Sequence, residues 1–272
     1  MISSAEKTFS HIILALFSLA FLMPIVVILS NAVGDPNSLD TGLKFDGFHW
    51  QNFVDAWTIG HFGGYIGNSA LVTVTVVVAT CLLSIPAAYA FGTMRFPGST
   101  VLYYLFVLGL MLPQEAVIIP LYFNLRGYGL TDSLWALIIP QTAQSLAFGV
   151  FWMRTYFRAA PKSIVEAARL DGCNSWKTLL QILVPLGRPA ITTMVVIVFM
   201  WTWNEFLLAL VMVSSDQYRT VPLGLAFFQG QHSSDTAQLA AAALLIAAPV
   251  VIVYLIFQRK FIEGVLGGAV KE

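Results

Sequence analysis

Charged residues are scarce in this sequence, and their scarcity sets the first limit on what the protein can be. Only 10% of the residues are charged, 58% are hydrophobic, and the mean hydropathy is +0.78. A soluble domain of this length needs a larger charged surface, so we expect the chain to fold in a membrane, in contact with lipid. The net charge of zero, from 14 basic and 14 acidic residues, gives no indication of a nucleic-acid partner.

The sequence also lacks the short motifs that hold ATP, bind a metal ion or activate a nucleophile. It contains no Gly-x-x-x-x-Gly-Lys-Ser/Thr, no His-Glu-x-x-His and no Gly-x-Ser-x-Gly. The two cysteines, Cys81 and Cys173, indicate no disulfide framework. We therefore expect no catalytic residue, no metal site and no cofactor in this chain, which we do not interpret as an enzyme. If ATP drives it, another chain must bind the ATP.

Long apolar segments make up most of the chain and predict an all-α integral membrane protein with six transmembrane helices. The spans are expected at about 9–31, 66–92, 101–123, 134–154, 190–213 and 238–258, in one transmembrane domain over residues 1–272. Each segment is long enough to cross a hydrocarbon core about 30 Å thick as a helix. We interpret the first segment as a retained span rather than a cleaved signal peptide, because its apolar stretch is too long for one.

The distribution of basic residues predicts the orientation of these spans. Six spans place both termini on one side of the membrane, and cytoplasmic loops carry an excess of Lys and Arg. With both termini in the cytoplasm, three basic residues face outward, namely Lys44, Arg126 and Arg219. The remaining eleven of the 14 face the cytoplasm, namely Lys7, Arg95, Arg154, Arg158, Lys162, Arg169, Lys177, Arg188, Arg259, Lys260 and Lys271. The same orientation places the loop between the fourth and fifth spans in the cytoplasm.

That loop, residues 161–189, is a polar island between apolar segments. Pro161 ends the preceding helix, Ser163 is a candidate N-cap, and Glu166 three residues later predicts a capping box. Gly172 stands where a C′ glycine would close this short helix after about two turns. The pattern predicts a short helix that is capped at one end and turned at the other.

A second short helix is expected in the same loop, beginning near Asn174 or Ser175 and ending at Pro185. Four apolar residues follow helical spacing along it, and we interpret them as packing under the membrane face rather than as a contact surface: Trp176, Leu179, Leu180 and Leu183.

The loop resembles the EAA loop of permease subunits from binding-protein-dependent ABC importers. Glu166-Ala167-Ala168 is followed after three residues by Gly172, and after nine more by Ile182 and then Val184-Pro185. The family pattern ends in Leu-Pro, so Val184 is a departure, although an apolar one. Further segments resemble the shorter permease subunit of the maltose-type carbohydrate class: Ala90-Phe91, Phe96-Pro97-Gly98, Trp203-Asn204-Glu205-Phe206 and Phe261-Ile262-Glu263-Gly264.

The resemblance implies a subunit of the bacterial plasma membrane that forms the translocation pathway for a sugar, either an oligosaccharide or a related polyol. It implies pairing with a homologous permease as a heterodimer, two ATP-binding subunits that hold ATP and Mg, and an extracytoplasmic sugar-binding protein. Coupling to the ATPase subunits would use residues of the loop: Ser163, Glu166, Ala167, Ala168, Gly172, Ile182 and Pro185.

Polar residues inside the spans are candidates for the pathway. An acidic residue near the middle of a span, such as Glu205, costs roughly 2.5 to 3.5 kcal/mol and usually faces a bundle interior or a wet cavity. Asn204, Glu115 and Gln141 are further candidates, together with Gln144. Each of these residues could instead only hold the bundle together through interhelical hydrogen bonds. For Glu205 the two interpretations are equally supported, whereas for the glutamines the sequence favours the structural one.

Two other classes of protein fit the sequence less well than the importer subunit. An ion-coupled secondary transporter needs a coupling-ion site, ordinarily built from broken helices and intramembrane charges, and it leaves the capped loop without a role. An intramembrane enzyme needs a catalytic constellation, which the sequence does not contain. Co-purification with a nucleotide-binding chain would separate the importer from both.

Overall fold

The structure is a computed structural model that describes residues 4–36, 42–43, 47–231 and 235–269. Within those ranges it is helical and contains no strand, which confirms the prediction of an all-α membrane protein. The first helices are α1 (Ser4–Val33), α2 (Gln51–Ile59), α3 (Phe62–Thr93), α4 (Ser99–Met111), α5 (Gln114–Gly127) and α6 (Trp135–Ala159).

The remaining elements follow after the short connection at Ala160–Pro161. They are α7 (Lys162–Leu170), α8 (Ser175–Lys177), a π-helical turn (Thr178–Leu183), α9 (Val184–Leu186), α10 (Arg188–Trp203), α11 (Leu207–Met212), a 3-10 turn (Asp216–Tyr218), α12 (Val221–Gln231) and α13 (Thr236–Ala269).

Four helices in the described part of the chain are long and apolar enough to span a membrane: α1, α3, α6 and α13. Two bent pairs pass the same test together, α4 with α5 at 100° and the Ser175–Leu186 helix with α10 at 78°. Six spans are therefore reached if each bent pair counts as one.

The third predicted span is broken at Leu112–Pro113. Leu112 has ψ 120° and Pro113 ψ 128°, both extended, so the helix stops and restarts at Gln114. Proline disfavours the helical conformation of the residue before it, which explains the position of the break. Pro120, by contrast, lies inside α5 and does not interrupt it.

The fifth predicted span is interrupted as well, and without a proline. The helix expected over 190–213 ends at Trp203 as α10, and α11 begins at Leu207. The Asn204 side chain turns back to the Met200 carbonyl, donating at 2.8 Å. The Glu205 carboxylate accepts from the Leu208 amide at 2.8 Å and thereby caps the new helix. Glu205 thus satisfies a backbone amide that the break leaves over, whereas the Met200 carbonyl bonded by the Asn204 side chain also accepts from the Asn204 amide at 3.2 Å.

The chain divides into two compact units, one formed by residues 1–64 and 224–249 and the other by residues 65–223 and 250–272. In the first unit, Asn52 is 2% exposed and donates to the carbonyls of Ala32 at 3.0 Å and Gly34 at 2.9 Å. The His49 amide donates to Val33 at 2.8 Å. These bonds fix α2 to the end of α1.

The second unit carries the core that positions the polar residues. Its fully buried side chains come mainly from α3, α6 and α10 and include Val76, Met153 and Met194. Gly149 allows α6 to pack closely against α3 and α10. A Cβ at this position would lie 2.7 Å from the Ser84 Cβ and 3.2 Å from the Met194 sulfur. Close helix contacts through small residues are the usual source of helix association in membranes.

The segment that follows α11 is fixed by side-chain hydrogen bonds within the second unit. The Asp132 carboxylate accepts from the amides of Ser214 at 3.0 Å and Ser215 at 2.8 Å, and from the Ser215 hydroxyl. Asn68 donates to the carbonyls of Gln217 at 2.8 Å and Arg219 at 2.9 Å. Asp132 therefore joins the α5–α6 connection to the segment 214–219.

Candidate functional site

The 161–189 loop contains the two short helices that its sequence predicts, but the capping box is wrong. The helix α7 begins at Lys162 with Pro161 as its N-cap, and no side chain caps it. Ser163 is therefore already the second helical residue, where its hydroxyl cannot cap the first turn. Because helix entry is set by the extended Pro161, at ψ 125°, the spacing from Ser163 to Glu166 carries no cap.

Gly172 closes α7 as predicted. Its φ is +76°, the left-handed region that a side chain disfavours. The Gly172 amide donates to Arg169 at 3.1 Å and the Cys173 amide donates to Ala168 at 2.9 Å, which together form a Schellman motif. The end of α7 is thus defined by backbone geometry that glycine allows.

The second loop helix begins where expected, because Asn174 accepts from the Lys177 amide at 2.9 Å as an N-cap. It continues through the π-helical turn to Leu186, one residue beyond Pro185. Leu179 and Leu183 are buried, at 1% and 0% exposed, as the core interpretation requires. Trp176 and Leu180 are not, since they are 61% and 57% exposed. Core packing is therefore wrong for these two side chains.

Exposed apolar side chains give this loop a surface that water does not favour. Leu170 is 88% exposed, and it stands with Trp176 and Leu180 on the two loop helices. We call these three residues the apolar loop surface. On a loop expected outside the membrane, large exposed apolar side chains are candidates for contact with a partner.

The EAA-type residues divide between the interior and the surface. Ala168 is 3% exposed and Ile182 is half-buried, whereas Ala167, Ser163 and Pro185 are exposed. Only one of the two alanines therefore lies at the surface, where it could meet a partner.

Glu166 lines a cavity of about 680 Å³, the arginine cavity, where α7 meets the ends of α3 and α6. Its other charged lining residues are Arg95, Arg158 and Arg169. Glu166 thus lies beside the ends of the two long helices α3 and α6.

A second region of interest is the polar cavity, with a volume of about 540 Å³. It lies between the two helix breaks, because Gln114 at the start of α5 and Asn204 and Glu205 after α10 all line it. Its other lining residues are Gln141, Gln144, Ser145, Ile197, Met200, Trp201 and Thr202. Helix breaks at membrane depth occur where the irregular backbone is covered by protein or lines a cavity.

A smaller and more apolar cavity of about 220 Å³ adjoins the polar one, since both are lined by Gln114, Gln141 and Gln144. Gln141 is 6% exposed, yet none of the three glutamines hydrogen-bonds to another described residue. The interhelical hydrogen bonds that would make these glutamines purely structural are thus not formed within the described chain.

The structure brings together three of the four predicted pathway residues. Gln141, Asn204 and Glu205 share the polar cavity, whereas Glu115 is exposed and Gln114 occupies the position beside the cavity. Sequence reasoning passed over Gln114 and Trp201. The signal for Gln114 was its place directly after Pro113, where the third span is broken and a new helix begins.

Comparisons with known proteins place these features in a family. Residues 82–265 match the family described as "Binding-protein-dependent transport system inner membrane component". A diacetylchitobiose uptake system permease protein of Streptomyces coelicolor is 29% identical over 273 residues, covering 98% of this chain and 90% of that protein. A trehalose/maltose transport system permease protein of Thermococcus litoralis is 36% identical over 213 residues, covering 78% of this chain and 76% of that protein.

Among solved structures, a bacterial ABC transporter involved in the import of the acidic polysaccharide alginate contains a chain of the same fold. The TM-score is 0.79 at 24% sequence identity, and the match covers 96% of this chain and 99% of that chain.

Proposed function

The chain belongs to the family of binding-protein-dependent transport system inner membrane components, and we propose that its importer carries a carbohydrate. The observation that carries this proposal is the polar cavity, in which amide side chains from two broken spans face one space of about 540 Å³. Amides both donate and accept hydrogen bonds, as sugar hydroxyls do. The two relatives named above transport diacetylchitobiose and trehalose or maltose, which agrees with that chemistry.

The alternative of an ion-coupled secondary transporter is not supported. Family membership and the fold both belong to ABC importer permeases. The broken helices, which that alternative also uses, are accounted for by the cavity that they line.

The proposed complex contains a homologous permease, two ATP-binding subunits that hold ATP and Mg, and an extracytoplasmic sugar-binding protein. The apolar loop surface supports an ATP-binding partner, since covering Leu170, Trp176 and Leu180 removes apolar area from water. The orientation that we propose, with both termini in the cytoplasm, places this surface on the side where ATP is available.

ATP-dependent uptake tests the proposal directly. Membrane vesicles containing the complex should accumulate labelled diacetylchitobiose or maltose only with ATP and the binding protein, whereas vesicles without the binding protein serve as the control. A nucleotide-binding chain should co-purify with a tagged copy of this subunit. Uptake driven by an ion gradient without ATP would overturn the proposal, as would ATP-dependent uptake restricted to a substrate that is not a carbohydrate.

A further inference from the structure

The polar cavity contains an aromatic side chain that the proposed pathway does not yet use. Trp201 lies in the last turn of α10 and is 52% exposed. Its ring meets Phe148 of α6 in an edge-on contact, with centroids 4.7 Å apart and planes at 61°. The indole is thus supported by a neighbouring ring while much of its surface stays accessible. Such a surface is suited to the apolar C–H face of a pyranose ring.

The amides around Trp201 are available to a ligand. Gln114, Gln141 and Gln144 make no hydrogen bond to any other residue that the structure describes. The NH₂ group of the Asn204 side chain donates to the Met200 carbonyl, so the side-chain carbonyl oxygen is the atom of this amide that can accept from a ligand. Of the three glutamines only Gln141 is buried, at 6% exposed. Buried polar groups are ordinarily hydrogen-bonded, so the Gln141 amide in particular is expected to bond with whatever occupies the cavity.

The charge around the cavity selects among carbohydrates. Of the residues described as lining it, none is Lys, Arg or His, and the one ionisable side chain is Glu205. The Glu205 carboxylate already accepts from the Leu208 amide at 2.8 Å, which makes it a positioning residue for the helix break. A uronic acid would bring a second carboxylate into a site without a cation, and an unpaired charge in such surroundings is costly.

We propose that the polar cavity of this chain is a subsite for one neutral glycosyl unit, stacked on Trp201 and hydrogen-bonded by the amides of Gln114, Gln141 and Gln144. The cavity volume of about 540 Å³ falls within the roughly 300–1,000 Å³ of ordinary ligand pockets. The subsite rests on the proposed function and deepens it in two ways. It assigns sugar binding to this subunit itself, and it restricts the bound unit to an uncharged sugar.

The test uses the whole complex, purified through a tag on this chain and placed in lipid nanodiscs without the binding protein. Maltose, diacetylchitobiose and an alginate disaccharide are titrated while tryptophan fluorescence is recorded. A saturable change is expected with at least one neutral sugar and not with the alginate disaccharide. Trp201→Leu should abolish the fluorescence change. Trp201→Phe keeps an aromatic face but also lacks the indole that reports binding, so neither variant gives a fluorescence signal.

Binding to the silent variants is therefore measured by competition. With labelled sugar, Trp201→Leu should bind at least about tenfold more weakly, Trp201→Phe within about threefold of wild type, and Gln144→Leu about fivefold more weakly. The matched control is Trp135→Leu, because Trp135 has a similar exposure of 56% and lines neither cavity. It should retain wild-type binding.

Failure of the subsite is distinguishable from failure of the proposed function. If the same complex imports a neutral sugar with ATP and its binding protein, but Trp201→Leu binds and imports as Trp135→Leu does, the subsite is wrong and the proposed function stands. Binding of the alginate disaccharide as tightly as a neutral sugar also overturns the subsite. If no carbohydrate is imported by the wild-type complex, both proposals fail.

Discussion

At the scale of single residues, Gly172 offers the sharpest experiment on the loop. A Cβ at this position would meet nothing within 4 Å, so a substitution acts only through the backbone, whose φ is +76°. The left-handed conformation costs an ordinary residue about 1–2 kcal/mol, and a β-branched one more. Gly172→Val should therefore lower ATP-dependent uptake by at least about tenfold, by releasing the Schellman motif at the end of α7.

Gly172→Asn is the matched control for that experiment, because asparagine tolerates positive φ. It should keep most of the uptake and of the substrate-stimulated ATP hydrolysis of the complex. Wild-type uptake by Gly172→Val would show that α7 is not the element that links hydrolysis to transport.

Asp132 predicts how the stability of the fold depends on pH. The bond from the Ser215 hydroxyl, followed by the Ser215 and Ser214 amides, holds the pKa of this carboxyl below its ordinary value. A depressed folded-state pKa stabilises the fold above the unfolded value of about 3.9, and that contribution is lost as the pH falls through the folded-state pKa. Asp132→Asn tolerates the φ of +54° at this position, so it tests the carboxylate alone.

The expected result is a lower unfolding temperature for Asp132→Asn than for wild type at pH 7, with the difference shrinking below about pH 3.9. Thermal unfolding in detergent measures it. Ser215→Ala should also lower the unfolding temperature, by less than Asp132→Asn does. The double variant should lower it by less than the sum of the two single decreases. A difference that grows on acidification would contradict this account of Asp132.

At the scale of elements, the break between α10 and α11 predicts how Glu205 behaves. Glu205→Gln keeps an oxygen that can accept from the Leu208 amide, so the complex should assemble normally. The substitution also removes the one ionisable side chain among the residues described as lining the polar cavity, so uptake should change in rate or apparent affinity. Glu205→Ala removes the cap, at a cost of about 1 kcal/mol. It should lower the unfolding temperature and the yield of complex together.

Unfolding temperature and uptake, measured on the same preparations, separate the two effects. If Glu205→Gln loses assembly and uptake in equal proportion, the carboxylate is purely structural. If Glu205→Ala is as stable as wild type, the cap has no energetic role.

The two helix breaks also show what the sequence could and could not reveal. The break in the third span has a marker in the sequence itself, because Pro113 acts locally on the conformation of the residue before it. The break after Trp203 has no such marker, since Asn204, Glu205 and Phe206 fit a helix until the surroundings favour their hydrogen bonds to Met200 and Leu208. The interruption depends on tertiary context, which a single sequence does not carry.

The loop gives the same lesson for the faces of helices. The helical positions of Leu179 and Leu183 and of Trp176 and Leu180 follow from spacing, but which pair is buried depends on what the loop packs against. The turn at Gly172 was predictable because it is local. The missing cap at Ser163 has a local cause as well, because Pro161 begins the helix two residues earlier than the capping pattern implies.

At the scale of the whole molecule, the orientation of the spans is the prediction to test. Because eleven of the 14 basic residues fall on one side of the predicted topology, a reporter fused after Lys271 and another inserted at Lys177 should both lie in the cytoplasm. A reporter inserted at Asp46 should lie outside. Accessibility of the reporters to a membrane-impermeant reagent, in intact and opened cells, measures their sides. An external signal from Lys177 would mean that the number of spans before it is odd.

The unequal apolarity of the spans has a consequence for how the protein is made. The α1 helix is the most apolar of the four long spans and has no buried residue in its most apolar stretch, whereas α6 is the least apolar and half of its stretch is buried. During synthesis α1 can therefore enter lipid alone. The polar Gln141 and Ser145 make α6 unfavourable in lipid until neighbouring helices cover it. We expect α6 to remain beside the insertion channel until α10 has been synthesised, so that release into the bilayer follows packing rather than chain order.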